Sequence, residues 1–216
     1  VGSEMCIRDS VNTGDILTNG SLTSKDVKND KVISVSKDIN IGKLENSGKV
    51  STAKKLDING NLTNLGNIQA IENITVANNV LNKGTILTEK KKSAGMFGSK
   101  GELENTNSIT TKDEESAGMY VEHSKATNKK TILIEGKASA GIYAKLSEVT
   151  GGTASGANEG ADAVITIEKE GSAGMLGEVK STVATGTATT LALINSGNIN
   201  VKTKNSTGMM LTNDSA

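Results

Sequence analysis

The chain has 216 residues, with 24 basic and 24 acidic residues and a formal net charge of +0 at pH 7. Because no excess of charge attracts it to polyanions, nucleic acid and anionic membrane surfaces are not expected as partners. Hydrophobic residues make up 35% of the chain and aromatic residues 1%, which is poor material for one large central core. No apolar run reaches the roughly 18 residues of a membrane-spanning helix, so this segment is not expected to insert in a membrane.

Residues 1–10 differ in character from the rest of the chain. Met5–Ser10 resembles a translation of the transposon adapter used in sequencing libraries, and the segment contains the single cysteine, Cys6, and the single arginine, Arg8. We therefore predict that residues 1–10 are an artefact and exclude them from fold reasoning. The remaining chain then has no cysteine, which leaves no disulfide framework and no thiol chemistry.

Residues 11–92 carry a repeat of about 18 residues. Gly48, Gly66 and Gly84 lie 18 residues apart, each shortly after an asparagine and two residues before a valine or isoleucine. Repeats of this length are the sequence signature of a solenoid, because one unit cannot bury its apolar face alone. We predict that residues 11–92 form turns of about 18 residues.

Residues 93–216 continue the pattern with longer turns of 23 to 34 residues. A Ser-Ala-Gly-Met-like motif recurs five times, and an isoleucine stands seven residues before each of its serines, which are Ser93, Ser116, Ser139, Ser172 and Ser206. The two longest intervals contain stretches rich in Thr, Gly, Ala and Ser, which predict loop insertions at 149–160 and 180–190. Insertions confined to one place on successive turns are what a solenoid permits.

The local pattern is typical of strands. Segments such as Ile132–Ile134 and Val164–Ile167 are short, alternating and β-branched, and they are separated by Gly, Asn, Asp and Ser. Stacking such units in parallel would place the isoleucines and valines over one another in a narrow interior. We predict an all-β chain folded as a single-stranded parallel β-helix (β-solenoid) of about nine turns. The Gly and Ala of the motif should lie where the interior is narrow, the Met should fill it, and the recurrent asparagines should stack as a hydrogen-bonded ladder.

The repeats resemble the passenger region of bacterial type V autotransporters, in particular the fusobacterial and leptotrichial type. The resemblance covers roughly residues 40–211 and is carried by Gly118-Met119-Tyr120, Gly141-Ile142-Tyr143, Asn64 to Ile68 and Asn195 to Ile199. It implies a right-handed β-helix at the cell surface that usually acts as an adhesin in virulence, anchored to the outer membrane by a carboxy-terminal β-barrel. The chain starts and stops inside repeats, without signal peptide or barrel, so we expect an internal fragment.

Two groups of residues suggest hydrolytic or metal chemistry. His123 is the only histidine, with Ser124 beside it and the carboxylates of Asp113–Glu115 nearby in sequence. Neighbours on a strand point to opposite faces, whereas a catalytic triad needs convergent side chains. We therefore interpret His123 as a surface residue and Asp113–Glu115 as a solvated turn rather than an acid pair or cation site.

Two further groups suggest ligand binding. Lys90–Lys92 could meet an anionic glycan or surface, although three lysines are more typical of a solvated turn. Tyr120 and Tyr143 lie one turn apart and could line a sugar-binding ridge, but they share their position with Phe97 and Leu176, which favours packing between repeats. We predict no catalytic, cofactor-binding or metal-binding residue.

Three classes of function remain. The favoured hypothesis is a structural and adhesive stalk whose partner is a protein or glycan on a host or bacterial surface. The alternatives are a surface fibre or spike segment without a ligand, and a polysaccharide-degrading enzyme built on a β-helix. Such an enzyme would need clustered carboxylates on one face, and no such cluster is evident in adjacent turns.

Overall fold

A computed structural model describes residues 5–7, 10–146, 152–180 and 189–214. All regular secondary structure in these ranges is β-strand, and the strands pair in parallel in two sheets. The smaller sheet has nine strands, one from each turn: Ile16–Thr18, Val32–Val35, Lys49–Thr52, Asn67–Ala70, Thr85–Thr88, Ser108–Thr111, Thr131–Ile134, Val164–Ile167 and Asn198–Val201.

The larger sheet has seventeen strands and takes two short strands from most turns. Its members are Met5–Ile7, Ser10–Asn12, Leu22–Asn29, Ile39–Asn46, Leu56–Ile58, Leu62–Asn64, Ile74–Val76, Val80–Asn82, Ala94–Gly98, Glu102–Asn105, Ala117–Glu122, Lys125–Asn128, Ala140–Leu146, Gly152–Asn158, Ala173–Lys180, Thr189–Asn195 and Thr207–Asp214. The predicted all-β, parallel β-helix of about nine turns is therefore confirmed.

The interior is built from columns of identical or similar apolar side chains. In the smaller sheet Ile86 lies opposite Ile109, Ile109 opposite Ile132 and Ile132 opposite Ile165. These isoleucines are at most 2% exposed, and burial of each such side chain contributes about 1.5–3 kcal/mol before the cost of ordering the chain. The repeat spacing seen in the sequence is thus the spacing that brings each isoleucine over the previous one.

A ladder of nine asparagines runs the length of the coil, as the sequence predicts. Each asparagine ends a strand of the larger sheet, and the Nδ2 of each of the first eight donates to the Oδ1 of the asparagine one turn later over 2.7–2.9 Å. The members are Asn12, Asn29, Asn46, Asn64, Asn82, Asn105, Asn128, Asn158 and Asn195. Because the amides also bind backbone carbonyls in the adjoining turns, the ladder satisfies polar groups that would otherwise be buried without partners.

The wider turns continue the same sheets without a break in register. Thr75 lies opposite Phe97 and Val76 opposite Gly98, so the larger sheet passes directly from the shorter to the longer repeats.

At the start of the chain, Met5–Ile7 pairs with Leu22–Ser24. Backbone pairing carries no information about the origin of a coding sequence, and the foreign origin of residues 1–10 stays a prediction.

The predicted loops at 149–160 and 180–190 need correction. Gly152–Asn158 is a strand that pairs with Lys125–Asn128 on one side and Thr189–Asn195 on the other. Ala154 and Ala157 are buried in it, so the small side chains fill a narrow interior here instead of marking a loop. Residues 147–151 and 181–188 lie outside the described residues.

Candidate functional site

A single left-handed residue precedes every copy of the Ser-Ala-Gly-Met-like motif. The residues are Lys92, Glu115, Ala138, Gly171 and Asn205, with φ between 49° and 73°. Such a φ is uncommon for residues other than glycine, and here it turns the chain sharply from the smaller sheet into the larger one. Gly171 and Asn205 are residue types that tolerate a positive φ, so they could have predicted this turn from the sequence. Lysine, glutamate and alanine at the same position in the other copies do not predict it.

The serines of the motif form a second ladder. The N–H of Ser93, Ser116, Ser139 and Ser172 donates to the Oγ of the serine one turn later, over 2.9–3.3 Å. The hydroxyls in turn donate to backbone carbonyls of their own or the preceding turn, as Ser139 does to Lys137 O at 2.9 Å and Ser172 to Gly136 O at 3.2 Å. The serine hydroxyls therefore satisfy backbone N–H and C=O groups at the turn. The sequence analysis did not predict this structural role.

The Gly-Met part of the motif packs the interior, as predicted. A Cβ on Gly118 would lie 2.5 Å from Cγ2 of Ile132 and 2.7 Å from the carbonyl oxygen of Gly141, so only glycine lets the isoleucine column approach. Met96 and Met119 are 0% exposed. The narrow interior and the filling role of methionine are both confirmed.

A column of three aromatic residues continued by two aliphatic ones, called the aromatic column below, forms on the outer face of the larger sheet from the residue after the Met or Ile of each motif. Phe97, Tyr120, Tyr143, Leu176 and Met210 occupy successive turns in register. The ring centroids of Phe97 and Tyr120 are 4.9 Å apart and those of Tyr120 and Tyr143 are 4.7 Å apart. Both faces of Tyr120 are therefore covered by its neighbours, and only ring edges remain for a ligand.

A groove of about 580 Å³ runs beside the aromatic column, along the axis of the coil. We call it the axial groove. Its floor is a row of alanines from the motif, its first wall is the aromatic column, and its second wall is the row of left-handed turn residues with the serines at their base. The lining residues used below are Asn73, Lys92, Ala94, Glu115, Ala117, Ala140, Ala173, Leu176 and Met210.

A row of half-buried charges lies on the other side of the two tyrosines. Glu122, Lys145 and Glu178 stand in register on successive turns, and Lys145 Nζ lies 3.7 Å from Glu178 Oε1. The hydroxyl of Tyr120 donates to Glu122 and that of Tyr143 to Glu178. Burial, followed by the hydrogen bond to Glu122, raises the pKa of Tyr120 above its ordinary value, so this phenol stays protonated.

The two charged triplets singled out in the sequence bind each other. Residues 90–92 and 113–115 lie one 23-residue turn apart, and Lys91 Nζ is 2.7 Å from Glu114 Oε1 and 2.8 Å from Glu115 Oε1. Hydrogen bonds to these two carboxylates raise the pKa of Lys91, and the same contact with Lys91 lowers the pKa of Glu115. The repeat period was the signal for this pairing, because it places the triplets opposite each other.

The structure does not bring His123 together with the acidic triplet. Residues 113–115 precede the strand Ala117–Glu122 and His123 follows it, which separates them by about 20 Å along six residues. His123 has a left-handed backbone (φ 50°) and donates its N–H to Lys145 O at 3.3 Å. The hydroxyl of Ser124 donates to Gly101 O. The residues that suggested hydrolytic chemistry therefore belong to two separate corners of the coil.

Within the described ranges, no three His, Cys, Asp or Glu side chains converge in a way that could hold a metal ion. The same ranges contain no helix long and apolar enough to cross a membrane. No protein-family model matches the sequence, and searches of curated proteins and of solved structures return no match.

Proposed function

We propose that this chain is a stalk segment of a surface-displayed autotransporter passenger, anchored to the outer membrane, which takes part in adhesion to host or bacterial surfaces. The observation that supports the proposal most strongly is the unbroken asparagine ladder through all nine turns. At about 4.8 Å per turn, nine turns give a rod on the order of 40 Å long. A rod of fixed register that any number of similar turns can extend is suited to holding a binding surface away from a membrane.

The motifs Gly118-Met119-Tyr120 and Asn195 to Ile199 add the resemblance to autotransporter passengers. In the structure both are parts of the rod itself: the first supplies interior and aromatic residues, and the second contains the last asparagine of the ladder. The passenger assignment rests on this resemblance of repeat style, and the stalk role rests on the geometry.

A fibre segment without its own ligand is the second candidate, and one observation favours it. The turn charges that could have met a partner, such as Lys91, Glu114 and Glu115, are engaged with one another within the rod. The pairs Lys137–Glu170 and Lys202–Glu168 repeat this arrangement at 2.9 and 3.1 Å on later turns. A surface that satisfies its own charges offers fewer groups to a partner.

The passenger assignment is tested by reading the complete open reading frame from long, adapter-free DNA reads. We expect a signal peptide upstream, a membrane anchor downstream, and further repeat in place of residues 1–10. A frame that closes without an export signal and an anchor would overturn the assignment.

Adhesion is tested separately with beads that carry the purified chain, applied to epithelial and bacterial cells. Beads carrying the heat-unfolded chain are the control. Adhesion of the folded chain alone supports the adhesive role, whereas equal and low retention of both kinds of bead favours the fibre without a ligand.

A further inference from the structure

The axial groove is a long, shallow site that no part of the proposed function uses. It spans five successive turns, so its length is four strand spacings, or about 19 Å. Its volume of about 580 Å³ lies within the roughly 300–1,000 Å³ range of small-molecule sites. The floor residues Ala94, Ala117, Ala140 and Ala173 present only methyl groups and are 4–6% exposed, so the site is straight and narrow.

The groove's chemistry argues against a sugar. Sugars are held by directed hydrogen bonds and by stacking on open aromatic faces. The serines at the base of the groove use their N–H groups in their own ladder and their hydroxyl groups on backbone carbonyls, and the faces of Tyr120 are covered by Phe97 and Tyr143. Apart from Asn73, Lys92 and Glu115 near one end and Asn205 and Thr207 at the other, the groove presents methyl groups, ring edges and aliphatic side chains, which favour an apolar ligand.

The size of the groove argues against a protein partner. A strip about 19 Å long and one side chain wide offers a few hundred Å² at most, whereas a standard interface buries about 800 Å² on each partner. A single extended apolar chain fits both the length and the width.

The two ends of the groove differ in polarity. The difference is one of charge: Asn73 and Lys92 lie at the end nearest the shorter turns, whereas the other end is lined by Leu176 and Met210 with the uncharged Asn205, Ser206 and Thr207. The Oδ1 of Asn73 accepts the N–H of Ala94 at 2.8 Å, which fixes the orientation of the amide and leaves its Nδ2 group as a donor beside the groove.

Lys92 has the most exposed side chain and the longest ion pair of the three lysines in its triplet. Its ammonium group is 3.3 Å from Glu115 Oε2, and its side chain is 70% exposed. Glu115 also binds Lys91, at the shorter distance of 2.8 Å. Because exposed ion pairs contribute little to stability, a ligand carboxylate could replace Glu115 as the partner of Lys92 while Glu115 keeps Lys91.

We propose that the axial groove binds one free long-chain fatty acid, with the acyl chain along the alanine floor and the carboxylate at Asn73 and Lys92. The carboxylate lies where the lining offers the ammonium group of Lys92, and the tail ends at the uncharged end beside Leu176 and Met210. The site is independent of the stalk role, since it requires only the folded repeats.

The test measures binding of hexadecanoate, below its micelle concentration, to the whole chain by titration calorimetry. Ala140→Leu blocks the middle of the floor and is expected to weaken binding at least tenfold. Thr166→Leu places the same side chain on the outer face of the smaller sheet, away from the groove, and is expected to leave binding unchanged. Melting curves establish that both variants fold.

Hexadecanol tests where the head lies. Lys92→Gln should weaken hexadecanoate several-fold and leave hexadecanol unaffected, and an equal effect on both would refute the carboxylate position. A fatty acid spin-labelled on its chain should broaden the methyl NMR signals of Ala117 and Ala140 in the unsubstituted chain, which needs no variant. Failure of hexadecanoate to bind, or broadening confined to other alanines, would overturn the site.

Discussion

Replacing Asn105 with alanine should destabilise the coil more than any exposed asparagine substitution. Asn105 is 0% exposed; its Oδ1 accepts from Asn82 at 2.8 Å, and its Nδ2 donates to Asn128 at 2.7 Å and to Thr131 O at 3.2 Å. The alanine variant removes these three bonds and two more to the backbone of Asn107, at 3.1 and 3.4 Å. Both ladder neighbours lose one partner inside the coil.

The magnitude follows from the groups that lose partners. A buried polar group without its hydrogen bond costs about 1–3 kcal/mol, but Nδ2 of Asn82 keeps a 3.3 Å bond to Ser108 O, and Oδ1 of Asn128 keeps the N–H of Lys130 at 3.4 Å. We therefore expect a loss of about 2–4 kcal/mol in the free energy of unfolding. For a chain of this length that corresponds to a fall in Tm of roughly 5–15 °C.

The assay is thermal and urea unfolding, followed by circular dichroism at about 218 nm, where β-sheet gives its characteristic signal. Asn107→Ala is the matched control: it lies in the same turn, is exposed, and loses one surface bond from Nδ2 to Lys83 O. We expect this control to change stability by less than about 0.5 kcal/mol. Equal melting temperatures for the Asn105 and Asn107 variants would refute a stabilising role for the ladder.

Three further predictions test the interior and the turn charges. Gly118→Ala should cost about 1–3 kcal/mol because its methyl group would meet Ile132 at 2.5 Å, whereas Gly14→Ala, with no atom within 4 Å of the new Cβ, should be nearly neutral in the same melts. Ile132→Asp buries an unpaired charge and should abolish cooperative melting; an unchanged melting curve would show that this column is not the core. Glu115 should titrate below its ordinary pKa in carbon-13 NMR because it is hydrogen-bonded to Lys91; its stabilising contribution is present above the unfolded-state pKa and is lost as pH falls through the folded-state pKa. In Lys91→Met the Glu115 pKa should rise toward its ordinary value, and an unshifted titration would refute the pairing.

Much of the architecture could be predicted because the repeat makes local information sufficient. The 18- and 23-residue intervals predicted which isoleucines lie over one another, and the asparagine that recurs in each turn predicted the ladder. In a stacked coil each turn contacts only its neighbours, so a period read along the chain becomes a distance in space. Residues 152–158 were misassigned as loop because the Gly- and Ala-rich composition of a narrow interior resembles that of a loop.

The sequence by itself determined the parallel coil, its period and its isoleucine, methionine and asparagine columns, since each of these repeats visibly in the order of residues. Only the tertiary structure decided what lies between columns. Lys92 and Glu115 have a left-handed backbone, and neither lysine nor glutamate is a residue type that predicts such a backbone angle. The axial groove depends on the distance between a row of turns and a row of rings, and that lateral distance, unlike the period, is set by how the two sheets meet.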